Sequence, residues 1–162
     1  MQKIITHLWF DDQAEAAAKF YTSLFRNSRI GRTTRYPENV AGMIGMRAGS
    51  VMTVEFELDG QLFYALNAGP TFKFNESISL FVNCENQAEI DALWNRLLEG
   101  GQAQQCGWLK DKYGLSWQIV PTVLGEMQHD PDPEKVSRVM GAMMRMIKLD
   151  IKALQQAYDG AK

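Results

Sequence analysis

Residues 3–25 read KIITHLWFDDQAEAAAKFYTSLF, and this stretch decides the fold. Residues 3–10 alternate and are rich in β-branched and aromatic side chains, which suits a half-buried strand that Asp11 and Asp12 then stop. Asp12 offers a helix N-cap with Glu15 behind it, and Ala17, Phe20, Tyr21, Leu24 and Phe25 recur at helical spacing along one face. A strand runs directly into an amphipathic helix.

Further strands are expected at residues 30–36, 50–58 and 62–67, the last two joined by Asp59 and Gly60, a pair that favours a tight hairpin turn. The order is βαβββ. Residues 78–83 alternate like a new strand, and Ile90, Leu93, Trp94, Leu97 and Leu98 repeat the spacing of the first helical stripe. Gly100 and Gly101 end that helix as a left-handed C-cap would, and strands are expected at 103–109 and 115–121 with Gly114 between them. The same stripe in the same flanking order indicates an internal duplication whose second copy is shorter.

Past Pro121 the pattern changes. Asp130-Pro131-Asp132-Pro133 is a rigid turn whose last two residues supply the N-cap and first position of a helix over 133–147, and Asp150 caps a shorter helix ending before Gly160. Met140, Met143, Met144 and Met146 give the longer helix adaptable apolar surface, for its own sheet or for a second subunit. The expected fold class is therefore α+β, with tandem βαβββ repeats over 1–121 (halves about 1–70 and 76–121) and a C-terminal helical extension over 122–162.

The 162 residues are 46% hydrophobic and 22% charged, enough to bury one good core. A net charge of −2, with Arg26, Arg29, Arg32 and Arg35 balanced by acids elsewhere, makes no field for a polyanion, so no nucleic-acid partner is expected. The apolar run before Asp11 is too short for a signal-peptide core or a membrane span, so a cytoplasmic protein with no membrane partner is expected. Cys84 and Cys106 form no CxxC and have no histidine at zinc-finger spacing, and read as free, partly buried thiols.

Four strings, HLWFDDQAEAAAKFY at 7–21, VMTVEFELDGQLFYALNAGP at 51–70, CGWLKDKYGLSWQIVP at 106–121 and DPDPEKVSRVMGAMMRMIKLDI at 130–151, resemble the PhnB-like proteins. Their subgroup is named the 3-demethylubiquinone-9 3-methyltransferase domain, within the vicinal-oxygen-chelate superfamily of glyoxalases, bleomycin-resistance proteins and dioxygenases. The resemblance implies a curved sheet cup, a homodimer and, in active members, a divalent metal ion. Carried over to this chain, the ligand positions fall at His7 (or Thr6, if the helix motif is matched without a gap), at Ser77 or Ser79, and at Gln118. Serine is a poor ligand for zinc, nickel or iron, so no metal cofactor is expected, His7 and Gln118 being the candidate ligands should one bind. Methyl transfer would need a glycine-rich loop after a parallel strand to hold S-adenosylmethionine, and the spacing in GMIGMRAG and LNAGP does not supply one.

Candidates for the lining of the cup are His7, Trp9, Glu55, Tyr64, Trp117 and Gln118. Parity within strands puts His7 and Trp9 on one face and Glu55 and Glu57 on another, with either facing inward. Trp94 and Trp108 suit a core role at least as well as a binding one, and His129 suits an exposed one. Cys106, close in sequence to Lys110 and Lys112, is the one residue that suggests a nucleophile, and no catalytic residue is assigned. The function expected is metal-free binding of a small, partly aromatic or amphiphilic molecule. A metal held by His7, Glu55 and Gln118 would instead make a lyase, isomerase or dioxygenase, and the family label would make a methyltransferase.

Overall fold

A computed structural model describes residues 2–160, which divide into one unit ending at Phe74 and another beginning at Asn75. The first unit runs β1 (Thr6–Phe10), α1 (Ala14–Thr22), β2 (Arg29–Arg35), α2 (Glu38–Ile44), β3 (Val51–Leu58) and β4 (Gln61–Asn67). Its sheet has the order β1-β4-β3-β2, parallel between β1 and β4 and antiparallel elsewhere. Asp59 and Gly60 both take positive φ, 46° and 78°, which is what a two-residue hairpin demands. Leu8, Phe10, Val54, Phe56, Phe63 and Ala65 are buried, as are Ala14, Ala17, Ala18 and Tyr21 of α1. Tyr21 approaches Phe56 at 6.2 Å between ring centroids, and Phe56 stacks on Phe63 at 5.3 Å.

Three expectations about this unit are corrected. Asp12 does not cap α1; the buried Asn67 does, accepting from the Ala14 N–H at 2.8 Å through Oδ1 while its Nδ2 donates to the Val51 carbonyl at 3.1 Å. The helix start is thus set by the end of β4. The helix also stops at Thr22, before Leu24 and Phe25, where the Thr22 and Ser23 hydroxyls donate to the Ala18 and Phe20 carbonyls and compete with helical bonding. Finally, α2 occupies a stretch read only for its glycines, and it ends at Gly45 with φ 71°.

The second unit runs β5 (Ser79–Cys84), α3 (Gln87–Leu98), β6 (Gln102–Ala103), β7 (Trp108–Lys110), β8 (Ser116–Pro121), α4 (Thr122–Gln128), α5 (Pro133–Met143) and α6 (Ile151–Asp159). Its sheet order β5-β8-β7-β6 repeats that of the first unit, with β5 parallel to β8. The βαβββ order therefore occurs twice, with α2 inserted in the first copy and β6 cut to two residues in the second. Asn86 caps α3 by accepting from Glu89, and Ile90, Leu93, Trp94 and Leu97 bury the predicted stripe.

The C-terminal helices carry the predicted caps. Asp132 accepts from the Glu134 N–H at 2.9 Å and Asp150 from the Ala153 N–H at 2.8 Å. α5 ends at Met143, not at 147, and the chain then turns through residues 144–148, where Cys106 and Gly107 N–H groups donate to the Met146 and Ile147 carbonyls. Val120, Leu124, Met127, Val139, Leu149 and Leu154 form one buried cluster against which Met143 and Met146 pack. This gives part of the methionine surface an intrachain role.

Lys148 and Gln87 tie the tail to α3. Lys148 Nζ lies 2.5 Å from Asp91, and Gln87 donates to the Leu149 carbonyl and accepts from the Ile151 N–H. Hydrogen bonds from Lys148 and then Gln87 hold the Asp91 carboxyl below its ordinary value of 3.8. The unfolded chain therefore takes up this proton first, so the contact contributes fully above about pH 4 and is lost as pH falls through the lower folded value. Hydrogen exchange in α6, taken relative to the intrinsic rate, should accelerate as pH falls below about 4 more in the wild type than in Asp91→Asn. Equal acceleration would show that the contact carries no pH dependence.

Candidate ligand-binding face

Each sheet has one face toward its helix and one away from it, and the residues singled out in the sequence divide between the two. In the first unit the buried set places Leu8, Phe10, Val54, Phe56, Phe63 and Ala65 under α1, so alternation sends His7, Trp9, Glu55, Glu57, Tyr64 and Leu66 to the opposite face. The register aligns His7 with Tyr64 and Tyr64 with Glu55, making one row across three strands, with Trp9, Leu66 and Thr53 in the next. The expectation that His7 and Trp9 lie on a different face from Glu55 and Glu57 is corrected. The common partner β4 sets the relative phase of β1 and β3, and parity within one strand does not reveal it.

The His7 ring stacks on Tyr64 with centroids 5.9 Å apart and planes at 22°. Trp9 donates its Nε1 proton to the Gly69 carbonyl at 2.9 Å and meets Phe72 edge-on at 4.9 Å. Glu55 accepts from Arg32 Nε at 2.9 Å, and Glu57 from two nitrogens of Arg29 at 2.6 and 3.1 Å. A register shift in β2 sets Gly31 and Arg32 together opposite Glu55 and turns Arg32 onto this face. At Gly31 a Cβ would lie 3.3 Å from the Glu55 carbonyl, so the small residue lets the strands close here. The hydrogen bond to Glu55, then its charge, and more weakly Tyr64, hold the Arg32 guanidinium above its ordinary pKa. Neither Arg29 nor Arg32 stood out in the sequence as a site residue, although RIGR facing EFE across a sheet is a charge-complementary pattern.

In the second unit the corresponding row is Phe81, Gln118 and Trp108. Gln118 donates to Ser79 Oγ at 2.8 Å, which joins two of the positions implied as ligands. Lys110 in the adjacent row is paired with Glu76 at 2.5 Å. Trp117 does not belong to this face. It is fully buried on the helix side of the sheet, and its indole N–H donates to Asp111 at 2.8 Å, so its place among the lining candidates is corrected.

Cys106 is half-buried, with its Sγ 3.7 Å from Met144 Sδ and its backbone at φ 60°. Lys110 is held by Glu76 and Lys112 lies over the Tyr113 ring, so the two cations that made a thiolate attractive are engaged elsewhere. Cys84 is buried, and burial, followed by the charge of Glu89, pushes its thiol up to about 12. His129 is exposed, with Nδ1 2.7 Å from the Gly125 carbonyl.

The donor set does not fit the metal that the resemblance implies. His7 and Glu55 are separated by Tyr64, two strand spacings or about 10 Å, and the Glu55 carboxylate is bound to Arg32. Among the described residues no three His, Cys, Asp or Glu side chains are grouped to hold a metal ion. No helix among them is long and apolar enough to cross a membrane.

The family model described as 3-demethylubiquinone-9 3-methyltransferase matches residues 2–120. The chain belongs to this family. A PhnB protein from Bacillus cereus is 38% identical over 75% of this chain and 100% of its own, with a TM-score of 0.67. A Staphylococcus aureus protein is 32% identical over 73% of this chain and 94% of its own, at a TM-score of 0.33. A Pseudomonas aeruginosa protein, 18% identical over 75% and 98%, shares the fold at 0.60. No curated protein matches. The tail string 130–151, included in the resemblance read from sequence, lies beyond the residues matched by the family model.

This PhnB-like chain does not fit S-adenosylmethionine either. Each sheet holds a single parallel pair, GMIGMRAG falls in α2 and the turn after it, and LNAGP begins at the end of β4, so among the described residues no strand passes through a glycine-rich loop into a helix.

Proposed function

We propose that this PhnB-like protein binds a small, partly aromatic molecule on the helix-free face of its first sheet, without a metal ion and as a homodimer. The row His7–Tyr64–Glu55, with Trp9 and Phe72 beside it, is the observation that supports the reading. It sets flat apolar rings next to a few fixed polar groups, the composition of a small-molecule site. Exposed Ile78, Phe81, Met144 and Ile147 on the second unit support a subunit contact, which analytical ultracentrifugation tests directly.

A fragment library in a thermal-shift assay tests the binding. An aromatic fragment at a hundred times its Kd should raise Tm by roughly 5–10 °C. Tyr64→Ala and Trp9→Ala should remove most of that rise. Divalent ions at matched concentration should leave Tm unchanged; a shift with one particular ion would reject the metal-free reading.

A further inference from the structure

We infer that the His7–Tyr64–Glu55 row takes a ligand with a flat cationic head, an amidinium or guanidinium group, and that Arg32 occupies the place of that head in the free protein. The inference rests on the reading of this face as a ligand site and adds the charge of the ligand.

Three observations carry it. The first is the asymmetry of the Arg32–Glu55 pair. The Glu55 side chain is 19% exposed and fixed at the middle of the sheet, whereas Arg32 is 82% exposed on the edge strand β2. An exposed pair of this kind contributes little, because solvent screens it and a long side chain must be held still. Arg32 can therefore leave at small cost, while the carboxylate stays.

The second is what surrounds the carboxylate. Glu55 stands in register with Tyr64, whose ring stacks on His7, and Trp9 lies one pleat along on the same face. Aromatic faces beside a carboxylate attract a cation with a flat apolar body and repel an anion. The third is the way Arg32 is held. It is a planar cation set against Glu55 and Tyr64 by a bulge of one extra residue, and it engages Glu55 through Nε, whereas Arg29 grips Glu57 with two nitrogens. The Arg29 pair has the geometry of a closed fork; the Arg32 pair has that of a placeholder.

Benzamidine, neutral benzamide of the same shape, and benzoate serve as probes, each titrated into the full chain while the His7 and Trp9 ring signals are followed by NMR. Wild type should bind benzamidine more tightly than benzamide. Arg32→Ala should tighten benzamidine about two- to fivefold, the worth of an exposed ion pair, and leave benzamide unchanged. Glu55→Gln should erase the difference between the two, with circular dichroism confirming that both variants fold. Equal binding of benzamidine and benzamide in wild type and Arg32→Ala would overturn the cationic assignment and leave the aromatic binding face standing. A preference for benzoate that disappears in Arg32→Ala would also overturn it and make Arg32 itself the ligand-binding group. Failure of every probe to move the His7 and Trp9 signals would reject the small-molecule reading together with this one.

Discussion

Asp111→Ala should cost about 3–5 kcal/mol and lower Tm by 10 °C or more. Asp111 is 3% exposed, and one carboxylate serves three donors. Oδ1 accepts from the Tyr113 and Leu115 backbone N–H groups at 2.8 and 3.1 Å, and Oδ2 from the Trp117 indole at 2.8 Å. The first two shape the turn between β7 and β8, and the third anchors Trp117, the largest fully buried side chain among the described residues. Alanine takes this acceptor from all three at once, and a buried donor that loses its partner costs about 1–3 kcal/mol. Asp111→Asn should recover only part of the loss, since its amide nitrogen must face one of the donors. The network predicts non-additivity as well. Trp117→Phe removes the side-chain donor, so the double variant should be destabilised by less than the sum of the two single losses. Urea melts of the four proteins measure this, and a loss below about 1 kcal/mol in Asp111→Ala would show that the carboxylate is not structural.

The second large effect is expected at Gly101. A Cβ there would lie 2.2 Å from the Lys110 carbonyl and 3.1 Å from the Asp111 Cα, both backbone atoms. No rotamer relieves such an overlap, so Gly101→Ala must push β6 away from β7, with an expected loss of about 3 kcal/mol or more. Gly45→Ala is the comparison. Its φ is 71° and its Cβ position is open, so only the left-handed backbone penalty of about 1 kcal/mol applies. Similar melts for the two variants would mean that β6 can shift freely.

Gly100 and Gly101 also show how far the sequence could be read. The pair is legible as a helix stop, and Gly100 indeed takes φ 74°. The need for Gly101 is of another kind, a backbone passing too close for any side chain, and nothing local to the pair announces it. The caps divide in the same way. Asp132 and Asp150 cap their own helices, within reach of a reading by neighbours, whereas α1 takes its cap from Asn67, far along the chain. The candidate site was legible residue by residue at His7, Trp9, Glu55 and Tyr64, but not as a row.

What the sequence determined by itself was much of what depends on short spacing: the stripe of the second helix and the front of the first, the Asp-Gly hairpin, the Asp132 and Asp150 caps and the duplicated order of elements. These rest on local geometry, in which each residue interacts with others a few positions away. Only the tertiary structure decided which residues meet. It placed His7, Tyr64 and Glu55 on one face, gave Glu55 to Arg32, and buried Trp117 against Asp111. The physical reason is that strand register is set between segments distant in sequence, and a slip of one residue would send every side chain of a strand to the other face.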